Sequence, residues 1–135
     1  MRKRERKALG NYLRTIADLM ELRDWHLDLS HGLPDADDAI ATCEPIFGRK
    51  KAVFRFCDGF ENLPREEQRN TVVHELVHCH LAAAQGVAER DMEGVLAAES
   101  DRVFFRAFRR NLEYAVDGLA NAIAKHMPYP EWPER

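Results

Sequence analysis

The chain contains no uninterrupted apolar run long enough for a membrane span or a signal-peptide core, because its basic start leads into a helical pattern still broken by charge. The expectation is a cytoplasmic protein without a membrane partner. There is no C-x-x-C pair, and the three cysteines, Cys43, Cys57 and Cys79, are an odd number, which disfavours a disulfide framework and leaves reduced thiols. There is no excess of positive charge either. A formal net charge of −3 and a pI near 6.1 give no basic field, so nucleic acid is not an expected partner. The one basic cluster, Arg2, Lys3, Arg4, Arg6 and Lys7 around Glu5, reads as a solvated helix start. No internal repeat and no glycine-rich phosphate loop is present, which leaves out solenoids and P-loop nucleotide binders.

What is present is a globular composition. The 135 residues, 45% of them hydrophobic, suffice for one core and one domain. That domain is expected to span 1–127. Residues 128–135 form a tail in which Pro128, Pro130 and Pro133 rule out helix and strand, so it should be extended.

One stretch carries chemistry: Val72-Val73-His74-Glu75-Leu76-Val77-His78, an H-E-x-x-H pattern. Residues i and i+4 lie one above the other on a helix, so His74 and His78 can point at one tetrahedral zinc ion. Glu75, rotated by roughly 100° from His74, is badly placed as a third ligand on that face but can reach a water beside the ion, as a general base must. Chance would write the pattern in roughly one shuffled chain in forty, so its surroundings matter. They are helical: Val73, Leu76, Val77, His80, Leu81 and Ala84 recur at amphipathic spacing, with both motif histidines at the edge of the apolar stripe. Cys79, one step beyond His78, is turned away from the metal and reads as packing.

The surrounding chain predicts an α+β fold. Leu9, Tyr12, Leu13, Ile16, Leu19 and Met20 give a long first helix over about Lys3 to Arg23. Trp25 to Ser30 alternates as a strand with His26 facing solvent, followed by a polar turn holding Asp35, Asp37 and Asp38. These three acids do not have EF-hand spacing, so no calcium loop is expected. Ala39 to Ile46 forms a second strand that Pro45 pushes to an edge or ends early, and Lys51 to Cys57 a third. Asn62-Leu63-Pro64 with Glu66 and Glu67 opens the motif helix, which Gly86 should end. Val87 to Glu93 reads as a connection. From Val95 to Ile123 the apolar spacing predicts one long helix, or two with a break near Asn111.

A catalytic zinc needs a third protein ligand and an open position. Gln85 stands where the H-E-x-x-H-x-x-G-x-x-H extension would put a histidine, which excludes the metzincin arrangement. The best candidate is Glu113, because Asp117 sits four residues later on the same helical face and can support a histidine ligand from behind; Glu93, Glu99 and Asp101 are alternatives.

With H-E-x-x-H followed by Glu113-x-x-x-Asp117, the chain resembles the gluzincin metallopeptidases, and in element order looks most like the minimal, single-domain minigluzincins. The resemblance implies a zincin-like fold: a long N-terminal helix, a small three-stranded sheet, and the H-E-x-x-H helix packed on a glutamate helix. It implies Zn2+ held by His74, His78 and Glu113, with Glu75 as the catalytic glutamate and Asp117 orienting the first histidine. It also implies a peptide or protein substrate held as an added strand along a sheet edge, one of the strands between Ala39 and Cys57 being the platform. Oxyanion donors would come from His126, Tyr129 or Tyr114. Larger gluzincins carry a lower subdomain with further substrate contacts, for which this chain has no room. Two other expectations stay open: a catalytically weak zincin-like binding or regulatory module of phage or bacterial origin, and a zinc hydrolase acting on another amide.

Overall fold

The structure, a computed structural model, describes residues 1–36 and 38–134. Asp37 of the expected polar turn and Arg135 of the tail lie outside the described residues. Helix α1 spans Lys3–Leu19. Its start is held by the Arg2 N–H, which donates to the Glu5 carboxylate at 2.6 Å. Its apolar positions Leu9, Leu13, Ile16 and Ala17, three or four apart, are fully buried. The helix stops short of the expected Arg23 because Glu21 takes a left-handed conformation, φ 58°, and the Leu22 N–H turns back to the Ala17 carbonyl at 2.8 Å. Arg14 fixes that turn by donating to the Trp25 and Leu22 carbonyls, both at 2.7 Å. Arg6 is not simply solvated: its guanidinium donates to the Leu29 and Ser30 carbonyls and ties α1 to the first strand.

Three strands, β1 His26–Leu29, β2 Ala41–Pro45 and β3 Lys51–Phe56, form a mixed sheet in the order β1-β3-β2. β1 runs parallel and β2 antiparallel to the central β3. Alternation along β3 buries Ala52, Phe54 and Phe56 against the helices and leaves Lys51, Val53 and Arg55 on the outer face. His26 is exposed as expected, its Nε2 2.7 Å from the Asp28 carboxylate.

β2 is an edge strand, which accommodates Pro45. The pairing decides which backbone groups the edge leaves free. The Ile40 carbonyl accepts from the Cys57 N–H and the Ile46 N–H donates to the Lys51 carbonyl, both at 2.8 Å. Even-numbered residues therefore bond to β3, and Ala41, Cys43 and Pro45 turn their backbone groups outward. Proline at an outward position costs no ladder bond.

Helix α2, Arg65–Gly86, is the centre of the molecule, with the sheet on one side and a long helix on the other. Val72, Val73, Leu76 and Val77 are buried around its circumference, so it is less one-sided than its sequence spacing implies. Its α-helical turns end at Gly86, as expected, but the helical path does not. The chain continues through a π-helical turn, Val87–Asp91, and Gly86 itself has ordinary helical angles. A Cβ there would lie 3.1 Å from the Phe47 ring, so this glycine serves close packing and not termination.

Helix α3, Ala98–Ala124, is a single helix with no break near Asn111, whose side chain bonds the Ala107 carbonyl within it at 2.8 Å. Val95 and Leu96 precede it. Leu112, Val116, Ala120 and Ala124, four apart, are its buried residues, and the two alanines let it approach α2 closely.

The tail is extended but anchored. Pro130 is fully buried; the Pro128 carbonyl accepts from Tyr12 Oη at 2.8 Å and the Pro130 carbonyl from Arg65 Nε at 3.0 Å. Trp132 Nε1 donates to Gln68 Oε1 at 2.9 Å and packs edge-on against Phe60, ring centroids 6.5 Å apart. The buried Gln68 is completed by donating to the Phe60 and Leu63 carbonyls. The strap therefore closes over the N-terminal end of α2 and joins the same buried cluster as α1, the sheet and α3. Among the described residues no helix is long and apolar enough to cross a membrane.

Candidate metal centre

The packing of α3 on α2 builds the site. Glu113 and Asp117 each follow by one residue a buried contact, Leu112 and Val116, so a rotation of about 100° brings both carboxylates to the rim of the helix interface. There they meet His74 and His78 of α2. One ligand atom each from His74, His78 and Glu113 lie within 4.8 Å of one another. Glu113 Oε2 is 3.5 Å from His74 Nε2 and Oε1 is 3.7 Å from His78 Nε2. Ligands of a tetrahedral zinc ion, bound at about 2 Å, stand about 3.3 Å apart, so the cluster is somewhat wider than a closed zinc ligand set and compatible with one. Two imidazoles and a carboxylate, with space in front of them, are also the donor types of a catalytic zinc site. The residues fit a metal ion.

His74 is held from behind: its Nδ1 is 3.1 Å from Asp117 Oδ1, leaving Nε2 for the metal side. His78 is buried, and burial, reinforced by the neighbouring His74, pushes its pKa down to about 4 against a weak opposing pull from Asp117. It is neutral near pH 7, the form that binds a metal. The alternative third ligands do not take part. Glu99 and Asp101 stand in the first turn of α3, Glu99 about 20 Å along the helix from Glu113, and Glu93 lies in the turn before it.

Glu75 points elsewhere, as its position on the helix requires. Its side chain is only 6% exposed and faces the edge of β2, where the backbone N–H of Cys43 lies beside it. Burial, and next the charge of Glu113, raise its pKa to about 8, and the Cys43 N–H acts in the opposite direction. In the metal-free protein this carboxyl is therefore mostly protonated at pH 7. A cation beside it would favour the carboxylate.

A cleft of about 570 Å³ runs between β2 and α3 and is lined by Thr42, Cys43, His74, Glu75, His78 and Glu113. A larger cavity of about 870 Å³ lies by the start of α1 but contains none of the motif residues, so chemistry and not volume identifies the site. Cys79 is buried with its Sγ 3.9 Å from Cys43 Sγ, a packing contact between free thiols. None of the expected oxyanion donors lines the cleft: Tyr129 stacks under Arg69 at the other end of α2, 4.5 Å from guanidinium carbon to ring centre, Tyr114 is exposed on α3, and His126 lies beyond its end. Sequence reasoning missed two features of the cleft. The Cys43 N–H is a backbone donor and leaves no trace in residue type. Arg109 and Arg110 line the cleft as well, and their spacing of four and three before Glu113 was the available signal.

Comparison with family models, with curated proteins and with solved structures finds no match to this chain.

Proposed function

We propose that this protein is a zinc-dependent metallopeptidase that hydrolyses peptide bonds in the cleft between β2 and α3. The observation that carries this reading is the conjunction of a three-ligand cluster, His74, His78 and Glu113, with a buried carboxylate that belongs to the same motif but not to the cluster, Glu75. A purely structural zinc site would close its fourth position with another protein ligand and has no use for a base.

A zinc ion bound there supplies Lewis acidity, polarising the scissile carbonyl and lowering the pKa of a water. Glu75 takes the attacking water's proton on its carboxylate and delivers it to the leaving amine. Asp117 holds the His74 ring with Nε2 toward the ion, and the Cys43 N–H favours the charged form of the Glu75 carboxyl. The outward backbone groups of Ala41 and the carbonyl of Cys43 offer a peptide the pairing groups of an added strand; of the two edge strands, β2 is the one that borders the ligands.

The test is cleavage of an unstructured protein by zinc-loaded protein, beside Glu75→Gln. A general base contributes about 10²- to 10⁴-fold, so the variant should keep its zinc and lose hydrolysis by that factor. Full activity in Glu75→Gln would end this reading. Zinc binding without cleavage of any peptide by the unaltered protein would leave a zinc-containing binding module.

A further inference from the structure

The cleft has two arms that meet at His74 and Glu75, and their charge differs. One arm passes over Ala39, Ile40 and Ala41 and is lined by Asp38, Asn70, Thr71, Asp117 and Asn121, with no cationic side chain among its lining residues. The other passes over Thr42 and Cys43 and is walled by Arg109 and Arg110. Arg109 is partly neutralised, its Nε 3.1 Å from the Glu89 carboxylate. Arg110 is exposed and makes no ion pair among the described residues. Farther along, Asp35 and Glu44 are both held by Arg55, at 3.2 and 3.0 Å. Of the two arginines that line this arm, Arg110 is therefore the one whose charge is uncompensated.

Helical geometry extends the pattern. Arg106, Arg110, Glu113 and Asp117 stand at i, i+4, i+7 and i+11, one stripe along α3, so a chain lying in the cleft leaves the ligand cluster on this side along a row of guanidiniums. Arg106 too is exposed and without an ion pair among the described residues. An arginine fork donates two parallel hydrogen bonds to a carboxylate, which a lysine in its place would not.

Resting on the metallopeptidase reading, we propose that the cleft selects peptide segments bearing an acidic residue on the side of the scissile bond that lies over Thr42 to Pro45, with the acidic side chain received by Arg110 and seconded by Arg106. The opposite side, with Asp38 and Asp117 and no cation, accepts neutral or basic residues. The substrate class is thus an extended segment with charge asymmetry about the cleaved bond.

The experiment separates recognition from hydrolysis. Zinc-loaded Glu75→Gln is titrated with fluorescent unstructured peptides of equal length that carry glutamate, glutamine or lysine at matched positions, and binding is read by anisotropy. The glutamate peptide should bind about 10-fold more tightly than the lysine peptide at low salt, the size expected of one or two partly exposed charge contacts. About 0.5 M salt should erase most of that difference. Adding Arg110→Glu should invert the order, and Arg110→Gln should level it; circular dichroism and zinc content verify that both fold. In parallel, the unaltered protein digests a random peptide library, where acidic residues should accumulate on one side of the cut only. Equal affinities, or an unchanged order in Arg110→Glu, would overturn the recognition proposal. Selective binding of acidic peptides with no cleavage by the unaltered protein would remove the hydrolytic reading and keep the recognition; cleavage with no acidic preference would do the reverse.

Discussion

Asp117 Oδ1 stands 3.1 Å from His74 Nδ1 while Glu113 Oε2 stands 3.5 Å from Nε2 of the same ring, so one imidazole is gripped from both ends by two carboxylates a helical turn apart. The carboxylates do not have the same job. Glu113 also reaches His78, at 3.7 Å, and closes the three-residue cluster, whereas Asp117 contacts only the far nitrogen of His74 within the site. Removing them should therefore have unequal effects.

Asp117→Ala should weaken zinc binding by about 10- to 100-fold and leave one zinc per chain at saturation, because loss of an orienting partner frees the ring without removing a ligand. Glu113→Ala and His78→Ala should fail to retain stoichiometric zinc through a desalting column. Competition against a chromophoric chelator measures all three. An Asp117→Ala affinity equal to that of the unaltered protein would mean the 3.1 Å contact does not orient the ring.

Zinc should stabilise the fold, since the ligands come from two helices that must be packed to meet. At free zinc one hundred times the dissociation constant the gain is about 2.7 kcal/mol, which for a chain of this size raises the melting temperature by roughly 10 °C. Scanning calorimetry with zinc and after chelation reads it directly. The same scan on His74→Ala should show no shift; a shift that survives there would place the bound ion elsewhere.

The metal-free protein should show a pH dependence of stability with a signature from Glu75 and His78. The native pKa of Glu75, about 8, is above its ordinary 4.5, so between these values the folded state binds the extra proton and stability falls as pH rises. The native pKa of His78, about 4, is below its ordinary 6.5, so from 4 to 6.5 the unfolded state binds the extra proton and stability rises with pH. Each slope is at most about 1.4 kcal/mol per pH unit, and they oppose one another up to pH 6.5. Their joint contribution is flat below pH 6.5 and falls from there to pH 8. Glu75→Gln should replace that with a rise to pH 6.5 and a plateau. Urea denaturation at half-unit intervals under chelator distinguishes the two profiles.

Deleting the tail after Met127 should cost stability and leave the specific activity of the folded fraction unchanged. Pro130 and the Trp132–Gln68 bond lie over the N-terminal end of α2, away from the cleft lining. Trp132→Ala alone should cost about 1–3 kcal/mol, with the lost Nε1–Gln68 hydrogen bond included, below the range for a fully buried tryptophan because this one is half-buried. Denaturant midpoints give the cost, and cleavage per zinc-bound molecule gives the activity. A more active truncated protein would show that the strap obstructs the cleft.

Much of this protein is determined by local sequence. The spacing of Leu9, Leu13 and Ile16, the alternation of Ala52, Phe54 and Phe56 and the histidine pair four residues apart are properties of a helix or a strand by itself, and the structure has the elements they predict. Boundaries were less legible where they depend on a neighbour. Gly86 reads as a stop because glycine ends helices, yet the Phe47 ring against it explains the residue and the helix runs on. Asn111 reads as a break, yet Leu112 and Val116, packed on α2, carry α3 through it. The same holds for the prolines of the tail, which predict an extended chain without revealing that Gln68 and Arg65 wait to bind it.

The candidate site divides in the same way. His74, Glu75 and His78 are a local pattern, and four-residue spacing alone puts Glu113 and Asp117 on one face. The sequence could not decide that this face meets the histidines and not solvent, because Glu99 and Asp101 share the helix and the answer lies in which stripe of α3 packs on α2. Nor could it decide that the Cys43 N–H faces Glu75, since that follows from the register of β2 on β3, fixed by pairing between residues distant in the chain. Local periodicity is written in residue types; the register and helix rotation that bring these groups together are set by the packing of one core.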